Sequence, residues 1–195
     1  MGSDCNGKPR CRLEAERPNV FALVIYIPEP LGKFLDDLRR ELVPDYNPHA
    51  HVSVLPPRPL TAGWDAAASQ ARALTEGWTP FDIELTTIEV FPVTDVIYIE
   101  VGEGAQTLHN LHRAMNSDAL QFDEPFTYHP HITLGQDVPR DCVAEATVLA
   151  RRRWAEFSGS RTFRAERAVF VQNTHDNCWV DLAEYGLGTV AARRG

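Results

Sequence analysis

Two histidines keep the same company in this chain: His51 is followed two positions on by Ser53, and His131 two positions on by Thr133. The surrounding segments are His49-Ala50-His51-Val52-Ser53-Val54-Leu55-Pro56 and Tyr128-His129-Pro130-His131-Ile132-Thr133-Leu134-Gly135. Imidazole is the side chain whose ordinary pKa lies nearest neutrality, so one ring can take a proton while a second gives one. A hydroxyl beside each ring can donate a hydrogen bond to an oxygen on which negative charge gathers. A single His-x-Ser carries almost no information, because most such residues are surface or satisfied core groups. The repetition is what points to one acid/base site supplied by two equivalent segments.

Both segments alternate polar and apolar residues and are rich in β-branched side chains, the signature of a half-buried strand. On a strand, residues i and i+2 share a face at roughly 6.5 to 7 Å. His51 therefore stands beside Ser53 and His131 beside Thr133, with Val52, Val54, Ile132 and Leu134 turned to the core. Upstream of the first motif, residues 19–27 read as an apolar strand ended by Pro28 and Pro30. Leu31, Phe34, Leu35, Leu38 and Leu42 then recur at helical spacing, with Pro44 as the stop and a loop through Asn47 and Pro48 leading to the motif. Further elements are expected as helix 65–76, strands 81–91 and 96–101, helix 105–120, helix 140–157, strand 162–172 and a last strand ending near 185. Residues 20–91 thus match 96–172 element by element as strand, helix, motif strand, helix, strand.

With its paired motifs, the sequence resembles the 2H phosphoesterase superfamily, which includes 2′-5′ RNA ligase-like proteins, RNA 2′,3′-cyclic phosphodiesterases and plant-type cyclic nucleotide phosphodiesterases. The matching motifs are His51-Val52-Ser53-Val54 and His131-Ile132-Thr133-Leu134, and the resemblance covers about residues 19–185. Helices alternating with strands would ordinarily suggest a parallel, doubly wound sheet. The duplication and the resemblance favour an α+β fold: two lobes (about 19–92 and 93–185 as sequence repeats) related by a pseudo-twofold, with mainly antiparallel sheets around a central concave cleft and helices outside. Residues 1–18 read as a flexible arm and 186–195 as a tail. The resemblance implies His51 and His131 as catalytic groups and Ser53 and Thr133 as phosphate-binding groups. On a 2′,3′-cyclic phosphate, one histidine would activate water and the other protonate the departing ribose oxygen; in reverse, with a 5′-hydroxyl in place of water, the site would ligate. Which histidine takes which role is not set by the sequence.

Other residues carry weaker expectations. Arg58 leaves the first motif in a Pro-rich turn and is a candidate to pin a phosphate or ribose, against a solvated loop arginine. Tyr128 is a candidate to stack on a base or bond the phosphate, against rim or core packing. His49 and His129 read as supporting residues at the strand entrances, His109 and His112 as surface or half-buried helix residues, and His175 as a solvated turn residue. Arg151, Arg152, Arg153, Arg161, Arg164 and Arg167 are the basic concentration, read first as a solvated helix end and second as an RNA contact.

Composition bounds the rest. The 195 residues, 44% hydrophobic, suffice for a proper core. A net charge of −8 argues against binding nucleic acid over the whole surface. No apolar run or leader marks a membrane span or secretion signal, and the scattered Cys5, Cys11, Cys142 and Cys178 read as reduced thiols, so the expectation is a cytoplasmic monomer without an obligate protein partner. The expected partner is a nucleotide or RNA end bearing a cyclic phosphate, and no cofactor is expected. Two alternatives compete: a metal site formed by His49, His51, His129 and His131, and a non-catalytic nucleotide-binding module. The metal reading leaves the recurrence of Ser53 and Thr133 unexplained, so no metal is expected.

Overall fold

The computed structural model describes residues 17–43 and 49–188. Pro44, Asn47, Pro48, most of the expected N-terminal arm and residues 189–195 lie outside them. Among the described residues, eight strands and four helices run in the order β1 (Phe21–Tyr26), α1 (Leu31–Leu42), β2 (His51–Arg58), α2 (Trp64–Glu76), β3 (Phe81–Val90), β4 (Ile97–Val101), α3 (Ala105–Met115), β5 (His131–Gly135), α4 (Val143–Glu156), β6 (Thr162–Ala165), β7 (Arg167–Asn173) and β8 (Trp179–Gly186). They build two four-stranded sheets, β2-β1-β7-β8 and β5-β4-β3-β6. All strand pairs are antiparallel, so the α+β, two-sheet expectation holds and the doubly wound alternative does not.

The two sheets have the same plan. In each, a motif strand lies at one edge and pairs with the first strand of its own half: Tyr26 lies opposite His51 on β1, and Glu100 opposite His131 on β4. The third strand of the first half, β3, joins the second sheet, and the last two strands of the second half, β7 and β8, join the first. Neither sheet is therefore built from one half of the chain. The helices cross over as well, since α1 packs against β5 and α3 against β2. Each motif strand is thus backed by the other half's helix, and β2 and β5 lie next to one another.

The packing explains these elements. On β1, Phe21, Leu23 and Ile25 enter the main core, while Ala22 and Val24 meet Val169 and Val171 on the cleft side, so the strand is apolar on both faces. Leu31, Leu35 and Leu38 bury the inner face of α1. That helix comes so close to β1 that a Cβ at Gly32 would lie 2.1 Å from the Ile27 carbonyl oxygen, which requires glycine there. On the other lobe, Trp154 of α4 donates from its indole N–H to the Thr86 carbonyl at 2.7 Å, and Phe34 and Phe157 join α1 to α4 with ring centroids 4.5 Å apart.

Three expectations need correction. The strand expected over 162–172 is two strands in different sheets: alternation breaks at Glu166 and Arg167, which are both exposed, and the chain changes sheet there. The helix expected over 105–120 ends at Met115, where Asn116 turns out of helical geometry, and Asp118–Leu120 form a short 3₁₀ turn. Cys178 is disulfide-bonded rather than a reduced thiol, whereas Cys142 is a free, exposed thiol. Spacing along a chain cannot reveal a pairing made across it.

Candidate active site

The two motif strands present His51, Ser53, His131 and Thr133 to a single cleft of about 950 Å³, within the usual range for small-molecule sites. Val52, Val54, Ile132 and Leu134 are buried in the core, as strand alternation requires. The histidines are held alike. His51 donates from Nδ1–H to the His49 carbonyl at 2.8 Å, and His131 from Nδ1–H to the His129 carbonyl at 2.7 Å. A carbonyl only accepts, so both neutral rings carry their proton on Nδ1 and leave Nε2 for chemistry. Burial pushes the His51 pKa down to about 4, the His49 carbonyl opposing and the positive charges of Arg39 and His131 adding to the fall. His131 is also lowered, chiefly by burial, with the His129 carbonyl and Glu100 opposing.

Aromatic walls account for that burial. Phe91 and Tyr98 stack at 4.0 Å, and the His131 ring meets both edge-on at 5.0 and 5.5 Å. Tyr26 meets His51 edge-on at 6.4 Å and donates its hydroxyl to Asp181 at 2.6 Å, which with burial holds that phenol well above its usual range. His49 and His129 stand just before the strands, as their prolines suggested: His49 lies 3.7 Å from Asp36, and His129 bonds Glu100 at 2.9 Å. Among the described residues, no three His, Cys, Asp or Glu side chains are grouped so as to hold a metal ion.

Arg58 is not where a substrate-binding arginine must be. Its side chain is 1% exposed and donates to the Pro56 and Leu120 carbonyls, to Asn116 and to Glu124. Apart from Pro56, its hydrogen-bond partners lie at the end of α3 and in the segment beyond, so the guanidinium pins that segment from inside. Tyr128 lines the cleft, but its hydroxyl donates to the Ser53 carbonyl at 2.8 Å and one ring face lies flat on His112 at 3.8 Å. The tyrosine ahead of the second motif thereby braces the strand of the first. Five of the six arginines from 151 to 167 are also committed: Arg151 to the Ile88 carbonyl, Arg153 to Glu41, Arg161 to the Trp154 carbonyl, Arg164 to Asp82 and Arg167 to Glu184, while Arg152 is exposed.

Asp36 and Arg39 are not singled out by the sequence, and His112, expected as a surface or half-buried helix residue, is half-buried with a further role. His112 bonds the Val54 carbonyl at 2.9 Å and lies 3.6 Å from Glu124. Asp36 accepts from the Ala50 N–H at 2.7 Å, and Arg39 lines the cleft; both are 8% exposed. A signal existed: Leu35 and Leu38 match Leu108 and Leu111, and each pair is followed directly by a polar residue, the buried Arg39 or the half-buried His112.

Comparison with known proteins agrees with this arrangement. The 2′-5′ RNA ligase superfamily matches residues 27–177. A Halalkalibacterium halodurans protein named "Putative phosphoesterase BH1439" is 25% identical over 164 residues, 80% of this chain and 93% of that protein. A Geobacillus kaustophilus protein named "Putative phosphoesterase GK0864" is 26% identical over 128 residues, 61% and 70% respectively. Crystal structures of similar fold include E. coli LigT complexed with 3′-AMP (TM-score 0.61, 14% identity, 89% of this chain and 99% of that one) and TT0787 of Thermus thermophilus (0.62, 16%, 87% and 98%). With two antiparallel sheets bringing paired His-x-(Ser/Thr) motifs into one cleft, and with this match over most of its length, the chain belongs to the 2′-5′ RNA ligase superfamily of 2H phosphoesterases.

Proposed function

We propose that this protein hydrolyses 2′,3′-cyclic phosphates of nucleotides or RNA ends by metal-independent acid/base catalysis with His51 and His131. The observation that carries the reading is that both rings keep their proton on Nδ1 and offer Nε2 to one cleft. One Nε2 accepts a proton from water as its oxygen attacks phosphorus. The other, protonated, delivers its proton to the ribose oxygen as the P–O bond breaks. Ser53 and Thr133 donate hydrogen bonds to the non-bridging oxygens, where charge accumulates. The 3′-AMP bound by LigT supports a cleft of this fold taking a nucleotide phosphate.

A second reading is favoured by the superfamily's name: with a 5′-hydroxyl replacing water as nucleophile, the same site would form a 2′-5′ linkage. The two are separated by incubating the protein with a 2′,3′-cyclic nucleotide, and with RNA ending in a cyclic phosphate with and without a 5′-hydroxyl RNA. Opening of the ring to a terminal phosphomonoester on either substrate supports hydrolysis. A joined RNA without phosphomonoester formation moves the assignment to ligation, and no change in any substrate removes both.

A further inference from the structure

We propose that the cleft takes the cyclic phosphate of a single nucleoside rather than the end of an RNA chain, with Phe126 and Val93 holding the base at its rim; this deepens, and rests on, the hydrolytic reading above. The distribution of charge and of exposed apolar surface along the cleft wall carries the inference.

Among the described residues that line the cleft, Arg39 is the one arginine and there is no lysine, whereas Glu124 and Asp137 are carboxylates. Arg39 belongs to the buried face of α1; burial lowers its guanidinium to about 9, with Asp36 opposing, so it stays charged at neutral pH. Its charge acts on His51, which puts it within electrostatic reach of a phosphate at the motifs. Glu124 is matched by the buried Arg58 behind it, and Asp137 is exposed just past the end of β5. None of the arginines from 151 to 167 lines the cleft. An RNA chain brings one phosphate with each nucleotide, and its affinity comes largely from lysines and arginines set along its path. The described wall offers one cation near the motifs and a carboxylate outside them. A single ring phosphate is matched there, and the phosphates of further nucleotides are not.

The apolar surface supplies the other half. Val93 is 80% exposed and Phe126 64% exposed, and both line this cleft, whereas the similarly exposed Val148 lies on α4 away from it. Val93 sits in the turn between β3 and β4, two residues beyond Phe91, whose ring meets His131 edge-on. Phe126 stands in the segment that leads into β5, beside Pro125. Exposed apolar side chains gathered at the edge of a cleft mark a place where a ligand covers them. Tyr128 has one ring face already taken by His112, so the exposed Phe126 is the better platform for a base. A nucleobase is flat and uncharged at neutral pH, which suits a rim of this kind. Phe126 and Val93 therefore act on specificity, through contact with the part of the substrate that does not react.

The test compares adenosine 2′,3′-cyclic phosphate with a short RNA ending in the same cyclic adenosine, and uses inorganic phosphate as a competitive inhibitor that has no base. At low salt, kcat/KM is expected to be at least about tenfold greater for the nucleotide than for the RNA. Phe126→Ser is expected to raise KM for the nucleotide about 5- to 100-fold while the Ki of phosphate stays within about twofold, and Val93→Ser to act in the same direction more weakly. Both residues are exposed, so Tm should match wild type. Asp137→Asn, an amide that tolerates the left-handed backbone there (φ 59°), should raise kcat/KM for the RNA at least about twofold and leave the nucleotide unchanged. RNA turned over as well as or better than the nucleotide, an RNA rate that Asp137→Asn leaves unmoved, or Phe126→Ser changing KM and the phosphate Ki alike, overturns the inference alone. Wild-type protein inert on both substrates overturns the hydrolytic reading and this inference with it.

Discussion

Arg58→Met separates a structural arginine from a substrate-binding one. Removing the guanidinium leaves Glu124, whose side chain is only 12% exposed, without its arginine partner and facing only His112, leaves the Leu120 carbonyl without the guanidinium donor, and leaves Asn116 Oδ1 with the Phe122 N–H as its donor. Breaking a buried pair by deleting one partner costs about 3 to 5 kcal/mol. For a chain of 195 residues, each kcal/mol lowers Tm by about 2 to 4 °C, so a fall of roughly 6 to 20 °C is expected. Adding Glu124→Leu removes the stranded charge and should recover much of the loss, since replacing both members of a buried pair by apolar groups is often near neutral. The assay pairs thermal unfolding by circular dichroism with kcat/KM well below the Tm of the variant, where KM should change by less than about threefold. A Tm equal to wild type with KM raised tenfold or more would refute the structural role and return Arg58 to the substrate.

Ser53→Ala and Thr133→Val should each lower kcat by about 10²- to 10³-fold with little change in Tm, measured on a cyclic nucleotide; a loss confined to KM would mean that they hold the ground state only. Tyr128→Phe removes the donor to the Ser53 carbonyl and should cost about 1 to 3 kcal/mol in urea unfolding, with kcat falling more than KM changes; unaltered stability and turnover would show that this bond does not brace β2. Because the folded pKa of His51 is depressed from 6.5 to about 4, the unfolded chain binds the extra proton between those values. Stability is therefore full above about pH 6.5 and declines as pH falls toward 4, by up to about 3 kcal/mol from this group. Urea midpoints from pH 7 to 4 should fall more steeply for wild type than for His51→Ala, and equal slopes would place His51 in a more solvated setting.

The placement of the paired motifs was more legible than the architecture that serves them. Strand alternation placed Ser53 beside His51 and Thr133 beside His131, because period-two geometry is local and owes little to the rest of the chain. The exchange of β3 and β7 between sheets depends on pairings between residues far apart in sequence, such as Val24 with Val169, and left only the break in alternation at Glu166 and Arg167 as a trace. Arg58 looked like a candidate because a proline-rich turn resembles an exposed loop. Its burial follows from Asn116, Leu120 and Glu124, which sequence spacing does not bring near it. Asp36 and Arg39 were hidden by their charge, because polar residues flanking a leucine stripe read as the solvent side of a helix; in the structure Asp36 accepts from the Ala50 N–H, as His112 bonds the Val54 carbonyl, so both helices serve the backbone at the first motif.

The central claim is that two histidines from matched strands perform phosphoester chemistry without a metal ion. The measurement that tests it most directly is turnover of a 2′,3′-cyclic nucleotide in the presence of EDTA by wild type, His51→Ala and His131→Ala, each checked for native Tm. Wild-type turnover is expected to resist EDTA and to fall at least about a hundredfold in both variants. Activity abolished by EDTA and restored by a divalent cation, or either folded variant turning over at the wild-type rate, would contradict it.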